Sequence, residues 1–198
     1  MPEYTFQKYL SKFNPFLERS LTDGMAKAQV NGHEATSLAH WLFEILSEKE
    51  SDISLSLAHQ DLNRGQVLHE LNQYLEGRPI VSAPDPALHQ NLIDAGKNAW
   101  DVCSLHFSES TIRSGHVLLG ALDDLKLNPI LGRYSRELGK LSTDLLLSAG
   151  TKAWEGSVET PTPIELAVPN TPKGAGPSLA DPKSRSEERR VRKKSRSR

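Results

Sequence analysis

His40-Trp-Leu-Phe-Glu-Ile-Leu46 and His116-Val-Leu-Leu-Gly-Ala-Leu122 are two versions of one phrase, 76 positions apart. In each, a histidine opens a run of bulky apolar residues. Self-similarity at a set interval constrains architecture before any single residue does. Around the first copy, Leu38, Trp41, Leu42, Ile45 and Leu46 follow i, i+3, i+4, i+7, i+8, the stripe of a core-facing helix. Before it, Phe13, Phe16, Leu17, Leu21 and Met25 mark the inner face of a first helix. After it, Leu55 and Leu62, then Val67, Leu68 and Leu71, mark two short helices. Gly77-Arg78-Pro79 and Pro84-Asp85-Pro86 interrupt the chain.

The second half repeats the plan. Leu88, Leu92, Ala95, Ala99, Val102 and Cys103 form a long stripe, with Asp85-Pro86 expected as its cap and first-turn proline. The helix of the second phrase follows, then a short helix from about Pro129 to Leu138 and a last one from near Ser142. Leu62-Asn-Arg-Gly-Gln-Val-Leu68 matches Leu141-Ser-Thr-Asp-Leu-Leu-Leu147 at an offset of 79, so three loop residues have been inserted. No alternating strand of useful length is present. The expected fold is all-α: about eight helices in two pseudo-symmetric repeats, about 10–77 and about 85–150, within a domain of residues 1–154.

Composition bounds the rest. At 198 residues and 37% hydrophobic content, part of the chain is expected to lie outside a core. Half of the 12 prolines fall between Pro161 and Pro182, among Gly, Ser and Thr, so residues 155–182 read as a linker. Residues 183–198 hold nine Lys/Arg and two Glu, a local charge of +7, against −8 for the remainder. This basic tail is expected to be disordered. There is no run of 18 apolar residues and no secretory signal, and Cys103 stands alone, so the expected location is the cytoplasm.

Leu38-Ala-His-Trp-Leu42, Ser51-Asp52-Ile53, Ile112-Arg-Ser-Gly-His-Val-Leu-Leu119 and Ser135-Arg-Glu-Leu138, on a duplicated helical plan, are similar to the amino-terminal domain of the Clp/Hsp100 unfoldases. The finer features resemble the ClpV (TssH) branch, the AAA+ ATPase that recycles contracted sheaths of bacterial type VI secretion systems. The resemblance covers about residues 10–150. It implies a domain on top of a hexameric ring that receives an amphipathic helix of a sheath protein in an apolar groove near its first helices. Helix-in-groove recognition needs aromatic and aliphatic side chains on a rigid platform. Tyr9, Leu10, Phe13, Phe16 and Leu17 are the groove candidates, with Phe6 beside them; Trp41, on the stripe, is expected in the core. The alternatives are the same domain serving a general Clp disaggregase, and a stand-alone nucleic-acid-binding module using the basic tail.

No catalytic, cofactor-binding or metal-binding residues are expected. No Gly-x-x-x-x-Gly-Lys-Ser/Thr phosphate loop occurs, so ATP and Mg²⁺ belong only to a longer parent, and the fragment is expected to be monomeric. The last 14 residues match 11 positions of RSEERRVGKECRSR, a translated sequencing adapter, and the reading frame is expected to leave the true gene there. His33-Glu34 and His69-Glu70 lack the second histidine of a metalloprotease motif. His40 and His116, at equivalent places, are expected to cap or buttress their helices. Cys103 reads as a buried thiol and Arg113 as a surface ion-pair partner.

Overall fold

The computed structural model describes residues 2–82 and 85–160, with residues 2–5 as backbone only. Among them the helices are α1 (Pro2–Leu10), α2 (Pro15–Val30), α3 (Leu38–Ser47), α4 (Asp52–His59), α5 (Arg64–Glu76), α6 (Gln90–Asp101), α7 (Ser114–Asp123), α8 (Leu127–Tyr134) and α9 (Thr143–Ala149). The run α2–α5 recurs as α6–α9: the starts 15, 38, 52 and 64 correspond to 90, 114, 127 and 143. Helix α1 stands outside both copies, which is why there are nine helices and not eight.

The helix starts follow from short polar residues that satisfy free backbone amides. Asn14 accepts from Leu17 N at 2.7 Å, Ser51 from Ser54 N at 3.3 Å, Asn63 from Gln66 N at 3.0 Å and Ser142 from Leu145 N at 3.4 Å. Three expectations need correction. Helix α6 is capped by His89, not by Asp85-Pro86, because Ala87–Leu88 is drawn into strand pairing. Phe13 precedes the α2 cap, and Met25 is 38% exposed, so neither lies on the inner face of that helix. Helix α8 stops at Tyr134 as Ser135 turns extended, leaving Leu138 in a separate 3₁₀ turn.

The copies interlock. Strand β1 (Ala35–Thr36), just before α3, pairs in parallel with β2 (Ala87–Leu88), just before α6. The reciprocal bridge joins Phe13, just before α2, to Ile112, just before α7. His89 N donates to Thr36 O at 2.8 Å, and Asn14 N donates to Ile112 O at 3.0 Å. The same joint is therefore made twice, once from each side.

Between α6 and α7 the backbones nearly touch. A Cβ on Gly120 would lie 2.7 Å from the Asn98 carbonyl carbon, so only glycine fits there. Trp41 is fully buried, as its stripe position requires. The packed region runs past residue 154. Trp154, Ser157 and Glu159 are buried, so residues 155–160, assigned to the linker from composition, belong to the domain. The linker expected over 161–182 and the basic tail expected over 183–198 lie outside the described residues.

Candidate functional site

The surface beside the first helices is built on a stack of aromatic rings. Phe6 of α1 is buried against α6, where the absence of a side chain at Gly96 admits its ring; a Cβ there would meet it at 2.5 Å. Phe6 meets Phe13 edge-on at 6.1 Å, and Phe13 lies 5.4 Å from Trp41. The Trp41 indole N–H donates to Ser20 Oγ at 3.0 Å, so the large ring is buried without an orphaned donor.

This stack divides the five groove candidates. Phe13 and Leu17 are sealed into the core, 7% and 0% exposed, and form a floor that a partner does not reach. Burial of their apolar area against Trp41 and Phe6 is worth more than leaving it to an intermittent ligand. Tyr9, Leu10 and Phe16 are half-buried, packed against the hydrophobic core with part of each side chain left in solvent. Trp100 of α6 is half-buried in the same way, and its off-stripe position in the sequence is the signal that could have found it. Basic side chains border these rings: Lys12 Nζ sits 5.6 Å from the Trp100 ring centre and the Arg19 guanidinium 5.8 Å from that of Phe16.

A concavity of about 490 Å³ lies between α5 and α8, lined by His69, Glu70, Tyr74, Arg133 and Tyr134 among others. It is polar and largely satisfied from within. Glu70 accepts from the Gln66 amide at 2.9 Å, from Ser135 Oγ at 2.6 Å and from Arg136 N at 2.9 Å, and these bonds, that from Gln66 foremost, hold its carboxyl below the usual range.

The two phrase histidines close the ends of the central helices. His40 Nδ1 accepts from Ser37 N at 3.0 Å and His116 Nδ1 from Arg113 N at 3.1 Å, each ring doing the work of the Glu or Gln in a capping box. The remaining proton is thereby set on Nε2. In the first copy Nε2 donates to His33 Nδ1 at 2.8 Å. In the second it has no hydrogen-bond partner, with Glu109 at 3.7 Å and the rings of Phe107 and Trp154 alongside. Burial, with His33 nearby, lowers His40 to about 4; burial, with Arg113 nearby, lowers His116 to about 3.

Arg113 is not the surface residue expected. It is 6% exposed, and its Nε and Nη2 donate to the two Asp52 carboxylate oxygens at 2.8 Å each. The partner lies 61 positions away, beyond any local reading. Cys103 is buried as expected. Among the described residues no three His, Cys, Asp or Glu side chains gather in a metal-holding group, and no helix is long and apolar enough to cross a membrane.

No family model matches the chain. Among solved structures, the N-terminal domain (1-163) of the ClpV1 ATPase from E. coli EAEC superposes with a TM-score of 0.70 at 27% identity, over 80% of this chain and 96% of that one. This is the Clp amino-terminal fold. A ClpV N-domain solved in complex with a VipB peptide shares the Clp fold at a TM-score of 0.64 and 20% identity, over 78% of this chain and 94% of the other. The AAA+ ATPase ClpV1 of Pseudomonas aeruginosa is 24% identical over 146 residues. These are 74% of this chain but only 16% of that relative, so the chain spans a small part of the ATPase's length.

Proposed function

We propose that this domain is the substrate-recognition module of a ClpV-type AAA+ unfoldase, binding an amphipathic helix of a contractile-sheath protein and acting by binding alone, in the cytoplasm. The observation that carries the reading is the likeness to ClpV N-domains, one of them solved with a VipB peptide, over nearly the whole of those domains. The local chemistry supports it. Half-buried Tyr9, Leu10, Phe16 and Trp100, on a floor of sealed rings and bordered by Lys12 and Arg19, offer apolar anchors and favour acidic residues on the helix's polar face. ATP and Mg²⁺ enter only through a longer parent.

Titration of a fluorescent sheath-protein helix against the full chain tests this. The expected Kd is roughly micromolar, that of one small apolar groove. Leu10→Asp and Phe16→Asp serve as controls, because a charge at Phe13 or Leu17 would be buried in the core and unfold the domain. Absence of binding by the unmutated chain overturns the reading. Preferential binding of an unfolded protein such as casein moves it to a general disaggregase.

A further inference from the structure

We propose that residues 155–160 form a releasable strap, whose Glu159 carboxylate fills in cis a carboxylate-binding pocket built at the joint between the two repeats. Four donors converge on this one side chain. The backbone N–H of Asp52, first residue of α4, reaches Oε1 at 3.0 Å. The N–H of Ser114, first residue of α7, reaches Oε2 at 2.7 Å. Asn14 Nδ2 donates to Oε2 at 2.9 Å, and the Ser114 hydroxyl donates to Oε1. Two helix N-termini, one from each repeat, thus point their free amides and the positive ends of their dipoles at the same anion. Glu159 is 5% exposed and answers them from 45 positions beyond Ser114.

The rest of the strap is lightly held. Val158 N donates to Glu50 O at 3.0 Å, Ser157 N to Trp154 O at 3.1 Å, and Arg113 reaches Thr160 Oγ1 at 3.3 Å, while Val158 and Glu155 project into solvent. Of its two buried side chains, Ser157 bonds within the strap, accepting from Glu159 N at 3.1 Å, and Glu159 makes the attachment to the helix starts. The charged groups facing it are the Asp52 carboxylate and the Arg113 guanidinium, with Glu109 near that guanidinium. Because Asp52 takes Nε and Nη2 of Arg113, Glu159 rests on three amide groups and one hydroxyl, which another carboxylate can satisfy equally well. Release would free a segment of six residues, roughly 20 Å when extended. It would also open the pocket to a carboxylate from another molecule.

Chemical rescue in the full chain tests the proposal. Glu159→Ala leaves the donors facing a hole of carboxylate size, and sodium formate at millimolar concentration is the probe. The expected result is a saturable rise in the Tm of Glu159→Ala with formate, absent with sodium chloride at matched ionic strength and absent in the unmutated chain. No gain over chloride overturns the pocket. Native-state hydrogen exchange of the unmutated chain needs no variant to fold. The amides of Val158, Asp52 and Ser114 are expected to exchange together, at least tenfold faster than those of α3. Exchange of all of them at the α3 rate overturns the strap.

Discussion

The buried histidines of the duplicated phrase make the domain acid-sensitive in a calculable way. In the unfolded chain each titrates near the ordinary value of 6.5; in the fold His40 is held at about 4 and His116 at about 3. A base whose folded value is depressed makes the unfolded chain the better proton acceptor, so stability is intact above 6.5 and falls as pH drops through the window down to the folded values. At pH 5, 1.5 pH units below 6.5, each ring kept neutral costs about 2 kcal/mol, and the pair about 4 kcal/mol. That is a large share of the 5–15 kcal/mol typical of a domain. Glu109 and Glu159 act in the opposite sense: burial raises both, so they add stability as pH falls, and the histidine contribution must be read as a difference. The measurement is urea denaturation from pH 7.5 to 5 of the unmutated chain and of His40→Gln/His116→Gln. Glutamine retains the cap acceptor without a titrating ring. The variant is expected to lose about 4 kcal/mol less than the unmutated chain over that interval. Equal slopes would refute the capping and burial argument together.

The Arg113–Asp52 pair is closed to water on both sides, so Arg113→Ala, which strands a buried carboxylate, should cost about 3–5 kcal/mol in urea denaturation, while Arg113→Met/Asp52→Leu costs much less. Gly120→Ala should lower the Tm by several degrees, because the Asn98 backbone cannot yield at 2.7 Å. Gly24→Ala, whose Cβ would sit 3.4 Å from the nearest atom, should be neutral or stabilising by up to about 1 kcal/mol through helix propensity. Cys103 is pushed up to about 11 by burial and by Glu109, so a thiol reagent at pH 8 should leave it unmodified in the native chain and titrate one thiol in denaturant.

What the sequence disclosed was local or periodic. Helical stripes set α3, α6 and α7, and the equivalent places of His40 and His116 in the two copies pointed to capping, which the Ser37 and Arg113 amides bear out. Contacts between distant residues left no such trace. Glu159 sits in a Pro- and Thr-rich stretch that composition assigns to a linker, yet it is held by residues 45, 107 and 145 positions earlier. Two-residue strands are too short to alternate, so the reciprocal pairing could not be read either. At the candidate surface, aromatic content located the right neighbourhood. Assigning depth within it required knowing that Phe6 drops onto Gly96 and closes the floor over Phe13.

The reciprocal pairing of β1 with β2 and of Phe13 with Ile112 carries an evolutionary consequence. A lone four-helix unit would present an unmet edge at each end, and the only surface that completes it is the same unit's own. Two free copies would satisfy one another as a swapped homodimer, the low-cost route to association between identical chains. Fusing the copies makes that association intramolecular and independent of concentration. It also frees the two halves to diverge, so that one ring nitrogen now meets a histidine while its counterpart faces a carboxylate.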